Sequence, residues 1–130
     1  MTSKFVMDSF AWIEYFRGTS KGRKVKELLE SQPCFTPTVV IAELSNKYSK
    51  ENYGFWETDL QFIVENSSTI VLDKEIADMA GKLKEAVRKK YKTNFGLADA
   101  IILSTARQIN AMVLTGDPHF QELSGIEFLK

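Results

Sequence analysis

Gly96-Leu97-Ala98-Asp99-Ala100-Ile101-Ile102-Leu103-Ser104-Thr105-Ala106 is an apolar run with one carboxylate close to its start. Thr93-Asn94-Phe95-Gly96 leads into it, a polar, glycine-ended approach of the kind that precedes a helix N-terminus. Leu97, Ala98, Ile101, Ile102 and Ala106 follow the i, i+3, i+4 spacing of a buried face. Small residues on the other faces predict packing on several sides. A carboxylate in such a helix is costly unless something compensates it, and the helix dipole offsets only part of that cost. Asp99 by itself therefore reads equally well as a dipole-matched residue or as part of a site. The case for a site rests on where the other acids fall.

On the C-terminal side, Ala111-Met112-Val113-Leu114-Thr115 reads as a strand ending in Gly116-Asp117-Pro118. A short helix around His119–Leu123 and a last strand, Ile126-Glu127-Phe128-Leu129, follow. On the N-terminal side, a long helix from about Lys74 to Tyr91 carries Ile76, Met79, Ala80, Leu83 and Val87 on one face. Before it, Thr69-Ile70-Val71-Leu72 reads as a strand ending at Asp73, and a helix around Phe55–Val64 turns Leu60, Ile63 and Val64 inward before Ser67-Ser68 breaks it. Pro37 suits the first position of a helix after a Thr36 cap, with Val40, Ile41, Leu44 and Tyr48 as its stripe and Glu43 close to that stripe. Cys34-Phe35-Thr36 reads as a strand. Ser20 suits the cap of a helix bearing Val25, Leu28 and Leu29. Lys4-Phe5-Val6-Met7 is a first buried strand ending at Asp8, followed by a helix dense in aromatic residues (Phe10, Trp12, Tyr15, Phe16) that Gly18 stops.

Strands alternating with helices predict an α/β fold: a mostly parallel sheet of roughly five strands with helices on both faces and right-handed crossovers. A chain of 130 residues suits one domain, spanning residues 1–130. The 17 basic and 17 acidic residues cancel, so net charge gives no sign of a nucleic-acid binder. One cysteine, Cys34, excludes an internal disulfide framework and fits a reducing, cytoplasmic setting. Its flanks are those of a strand, which predicts a buried, small apolar residue. No apolar run reaches membrane-spanning length, and Lys4, Asp8 and Glu14 interrupt any N-terminal signal core.

In parallel sheets, ligand sites lie beyond the carboxyl ends of the strands where strand order reverses. Asp8 ends the first strand and Asp117 follows the fourth; Glu43 and Asp99 sit on helices that follow loops. If the first and fourth strands are neighbours, these four acids share one crevice. Carboxylates crowded together raise one another's pKa. A divalent cation reverses that, because oxygen donors with formal charge are what Mg²⁺ or Mn²⁺ prefers. Such an ion can activate a water and stabilise the leaving oxygen of a phosphodiester. Each acid also has a plainer reading. Asp8 or Ser9 can cap the first helix, Asp117-Pro118 is a cap-plus-proline signature, and Glu43 can pair with Lys47.

Four motifs in order resemble a known family. They are Phe5-Val6-Met7-Asp8-Ser9-Phe10-Ala11-Trp12-Ile13-Glu14-Tyr15-Phe16, Val39-Val40-Ile41-Ala42-Glu43-Leu44, Leu97-Ala98-Asp99-Ala100-Ile101-Ile102 and Thr115-Gly116-Asp117-Pro118-His119-Phe120. Across nearly the whole chain they resemble PIN-domain proteins, and specifically the VapC toxins of VapBC toxin–antitoxin pairs. The resemblance implies a three-layer α/β/α PIN fold and a Mg²⁺- or Mn²⁺-dependent endoribonuclease. It assigns the metal-binding, catalytic positions to Asp8, Glu43, Asp99 and Asp117, and pocket hydroxyls to Ser9 and Thr115. It also implies an RNA substrate, a homodimer, and a small antitoxin that covers the active site.

Lys82, Lys84, Arg88, Lys89, Lys90 and Lys92 form a basic cluster that can hold RNA phosphates or simply match the C-terminal end of a helix dipole. His119 reads as an exposed residue of a polar turn with no necessary part as a base. Asn94 reads as a turn residue or a neighbour of the cleft. A phosphoreceiver domain would need an acidic pair after the first strand, and Asp8 has no adjacent acid. Within the PIN family, a housekeeping RNA-processing nuclease and a non-catalytic binding module remain as the other readings.

Overall fold

The computed structural model describes residues 3–130. Its five strands are β1 (Phe5–Met7), β2 (Cys34–Pro37), β3 (Ser68–Ile70), β4 (Met112–Thr115) and β5 (Ile126–Phe128). They form one sheet in the order β3-β2-β1-β4-β5, and every neighbouring pair is parallel. The helices are α1 (Ser9–Arg17), α2 (Ser20–Ser31), α3 (Thr38–Lys50), α4 (Trp56–Asn66), α5 (Lys74–Tyr91) and α6 (Leu97–Gln108), with a 3₁₀ turn at Pro118–Phe120. Strand order runs one way from β1 to β3 and the other way from β4 to β5, so it reverses between β1 and β4. Right-handed crossovers then put α1–α4 and α5–α6 on opposite faces. No helix among the described residues is long and apolar enough to cross a membrane.

The central strands are buried on both faces. Phe5, Val6 and Met7 are buried in succession, as are Val113 and Leu114, which is the pattern of parallel strands covered by helices. α1 packs its fully buried Trp12 under the sheet and stacks Tyr15 on Phe62 of α4 at 5.1 Å between ring centroids. The Trp12 indole N–H donates to the Thr36 hydroxyl at 3.1 Å, so its one polar atom is satisfied inside the core. Gly18 ends α1 with φ +67, and its N–H bonds back to the Glu14 and Tyr15 carbonyls. Cys34 is buried, which pushes its thiol up to about 11.

Several local expectations need correction. Pro37 is not the first helical residue; it closes β2 in an extended conformation, and α3 starts at Thr38. Thr36 caps nothing, because its hydroxyl faces inward between Trp12 and Ser67. Ser20 starts α2 instead of capping it, and the cap is Thr19, whose hydroxyl accepts from the Gly22 N–H at 3.0 Å. β3 takes in Ser68 and stops at Ile70, and Val71 and Leu72 are exposed. β3 is an edge strand paired only with β2, and β2 itself ends at Pro37, opposite Ile70. Val64, Met79 and Leu97 are exposed where burial was expected. Met79 and Val64 sit at the margins of their helical stripes. Leu97 is the first residue of α6.

Candidate active site

Asp8 follows β1 directly and caps α1, its Oδ1 accepting from the Ala11 N–H at 2.8 Å. It is only 4% exposed. Burial raises its pKa to about 7; the Thr115 hydroxyl and the Ala11 N–H act the other way, and the Asp117 and Glu43 carboxylates add to the rise. Glu43 stands on α3, where Oε1 accepts from the Ser9 hydroxyl at 2.7 Å. Burial lifts its pKa, the Ser9 hydroxyl lowers it, and Asp99 and Asp117 lift it further. Asp99 sits in the first turn of α6, and its Oδ2 accepts from the Gly96 N–H at 3.0 Å. Its pKa is raised by burial, lowered by that N–H, raised by Asp117 and lowered by His119. Asp117 caps the 3₁₀ turn, Oδ1 accepting from the His119 N–H at 2.9 Å.

The acids act on one another's ionisation: Asp117 raises Asp8, Glu43 and Asp99, Glu43 raises Asp8, and Asp99 raises Glu43. Two pieces of topology bring them together. β1 lies beside β4 with Met7 opposite Leu114, so the chain leaves both strands at the same edge toward Asp8 and Asp117. α3 approaches α6, which carries Glu43 to Asp99. The hydroxyls of Ser9 and Thr115 line the same place, with Thr115 Oγ1 accepting from the Asp117 N–H at 3.0 Å.

Two contributors were not legible in the sequence. A Cβ at Gly116 would overlap the ring of Phe10, so the Thr115-Gly116-Asp117 turn lies directly on α1. Only the glycine itself hinted at so close an approach. His119 is exposed as expected, yet its Nδ1 stands 3.1 Å from Asp117 Oδ1. The Asp-Pro-His spacing of the turn was the available signal. Asn94 is exposed, in the loop before α6.

The resemblance to PIN-domain proteins implies a cation. The crevice offers carboxylate and hydroxyl oxygens, the chemistry of a hard divalent ion. Among the described residues no three His, Cys, Asp or Glu side chains come close enough to share one ion directly. Concavity alone does not find this place. A surface cavity of about 360 Å³ lies elsewhere, against Phe16, Arg17, Lys47, Tyr48 and Tyr53.

A PIN domain family model matches residues 5–126. The chain belongs to the PIN domain family. Solved structures of similar fold are toxin–antitoxin proteins. VapBC2 from Rickettsia felis, bound to a DNA fragment from its promoter, matches this PIN domain with a TM-score of 0.77 and 16% identity over 96% of each chain. VapC20 from Mycobacterium tuberculosis, described as a sarcin-ricin loop cleaving toxin, matches with a TM-score of 0.74 and 16% identity, over 98% of this chain and 100% of the other. A toxin–antitoxin complex from Klebsiella pneumoniae matches with a TM-score of 0.73 and 23% identity, over 96% and 97%. Among curated proteins none matches the sequence. The likeness of this PIN domain to VapC toxins is thus one of fold along its whole length, and the chemistry rests on its own residues.

Proposed function

We propose that this PIN domain is a Mg²⁺- or Mn²⁺-dependent endoribonuclease and the toxin of a type II toxin–antitoxin pair. What supports the reading is that Asp8 and Asp117 follow the neighbouring strands β1 and β4, where strand order reverses, and that Asp117 raises the carboxyls of Asp8, Glu43 and Asp99 above their ordinary pKa, together with burial. Such a cluster is destabilising when empty of positive charge. A divalent cation there supplies the charge that offsets a phosphodiester and lowers the pKa of a water for in-line attack. The chain's own groups do the positioning. The Ala11 N–H holds Asp8 Oδ1, and the Gly96 N–H holds Asp99 Oδ2, leaving its Oδ1 available. The Ser9 hydroxyl orients Glu43 and favours its ionised form. Asp117 Oδ1 accepts from the His119 N–H, and the Asp117 N–H donates to Thr115 Oγ1.

Purified protein is expected to cut RNA with Mg²⁺ or Mn²⁺, to lose activity in EDTA, and to leave 5′-phosphate and 3′-hydroxyl ends. Cyclic phosphate ends would mean attack by the RNA's own 2′-hydroxyl and would remove this mechanism. The partners in this reading are an RNA substrate, a second copy of the chain in a homodimer, and a small antitoxin. The fold neighbours support the last, being toxin–antitoxin complexes. An antitoxin suited to this site presents Arg or Lys to the acids, since a cationic side chain relieves the same repulsion. Expression alone should arrest growth, and a small co-encoded protein should restore it. Normal growth with active enzyme would remove the toxin assignment and leave the nuclease.

A further inference from the structure

The basic end of α5 has no part in the acid cluster, yet it lies beside it. α5 and α6 pack together through the short connection 92–96, as an antiparallel helical hairpin. The last turn of α5 therefore stands at the same end of the fold as Asp99. Arg88, Lys89, Lys90 and Lys92 are all exposed there. None of them pairs with a carboxylate among the described residues, whereas Lys82 further back pairs with Asp78 at 3.0 Å. Lys92 closes the helix in the left-handed region, φ +50, a position where glycine is the less strained choice.

Beside this turn is a cavity of about 230 Å³, with Tyr91 and Thr93 on one wall and Pro118 and His119 on the other. Pockets that bury a drug-sized ligand run to about 300–1,000 Å³, so this one suits a single planar ring. His119, which lines the cavity, stands with its Nδ1 3.1 Å from Asp117 Oδ1, so the cavity adjoins that acid. Glu122 also lines it and repels phosphate from that wall, toward the cations of α5. Tyr91 lines the cavity, and Lys90 Nζ lies 5.3 Å from its ring centroid, so a cation already stands against this ring.

We propose that this cleft is the subsite for a nucleotide flanking the scissile bond in a single-stranded stretch of the RNA. The base packs on Tyr91, and the adjoining phosphates run along Arg88, which shares its helix face, and Lys92. This rests on the nuclease reading above and extends it to how the substrate is held. An aromatic face joined to a track of cations is how proteins hold unstacked bases, and a duplex offers no such base.

Fluorescence anisotropy of a labelled single-stranded oligouridylate of about 12 nucleotides, in EDTA so that no cleavage occurs, tests it. Tyr91→Leu is expected to weaken binding by about 5- to 100-fold, the scale of one lost base–aromatic stack, and Tyr91→Phe to retain it. Lys92→Gly should lower the log–log salt slope by about 0.7, one phosphate contact on a single strand. Its Tm should stay level or rise, since glycine takes the left-handed conformation without steric cost. Lys74→Ala, at the other end of α5, should change neither. The subsite is overturned if the wild type does not bind, if Lys92→Gly keeps the full slope, or if Lys74→Ala weakens binding as much. Binding that depends on these residues in a protein that never cleaves RNA keeps the subsite and removes the nuclease. Cleavage whose KM ignores both Tyr91→Leu and Lys92→Gly does the reverse.

Discussion

Asp8 and Asp73 occupy the same local structure. Each precedes a helix with nearly identical backbone angles, φ −94 and ψ −179 for Asp8 against φ −94 and ψ 176 for Asp73. Each accepts a hydrogen bond from the N–H three residues on, at 2.8 Å in both cases. Beyond that they part. Asp73 follows the edge strand β3 and is exposed. Asp8 follows the central strand β1, is buried, faces Glu43 and Asp117, and has its carboxyl pushed up to about 7. Capping is a property of a few consecutive residues. Burial beside other carboxylates is a property of sheet position.

The widest separation between the two should appear in cleavage. Asp8→Asn should lower the rate per folded molecule by about 10²–10³-fold, the scale of removing one preorganised electrostatic group. Asparagine still caps α1, so folding survives. Asp73→Asn should cleave like wild type, and an equal loss there would break the comparison. Asp99→Asn should fall with Asp8→Asn, with metal-free stability level or raised because repulsion with Asp117 is relieved.

Stability against pH is the next contrast. The folded pKa of Asp8 lies above its ordinary 3.8, at about 7. Between those values the folded protein binds more protons than the unfolded chain, so this group makes metal-free stability fall as pH rises from about 4 to about 7, and adds no slope above that. Urea unfolding across that window should show a slope that Asp8→Asn flattens and Asp73→Asn does not. Added Mn²⁺ should raise Tm most at the alkaline end, by mass action on the folded state, and less in Asp8→Asn.

Ser9→Ala sharpens the comparison from the supporting side. Its hydroxyl holds Glu43 at 2.7 Å, and outer partners of metal ligands are worth about 10- to 100-fold in affinity or activity. A tenfold rise in the Mn²⁺ needed for half-maximal cleavage is the expected reading. The smallest effect belongs to Asp73→Ala. Loss of that cap should cost about 1 kcal/mol in denaturant unfolding, with cleavage per folded molecule unchanged.

How much was legible follows the same division. The alternation of strands and helices, the bounds of α5 and the apolar succession of β1 could be read from residue order, because each depends on neighbours within a few positions. Exposure at element ends could not. Val71 and Leu72 look like strand residues but run past the end of β2, their only partner strand. Leu97 fits an apolar stripe but is the first residue of α6 and is exposed. Pro37 carries a helix-start signal, yet pairing with Ile70 keeps it in the sheet.

For the acids, the sequence by itself determined which residues can bear charge, in what order, and on which kind of element: strand ends for Asp8 and Asp117, helices for Glu43 and Asp99. Only the tertiary structure decided that β1 lies beside β4 and α3 beside α6, and so that Asp8, Glu43 and Asp99 each feel the charge of Asp117 while Asp73 stands exposed. The reason is physical. A cap is made by hydrogen bonds between residues three apart, whereas the raised carboxyls come from burial and from charges contributed by distant segments, and no local pattern encodes which distant segments will adjoin.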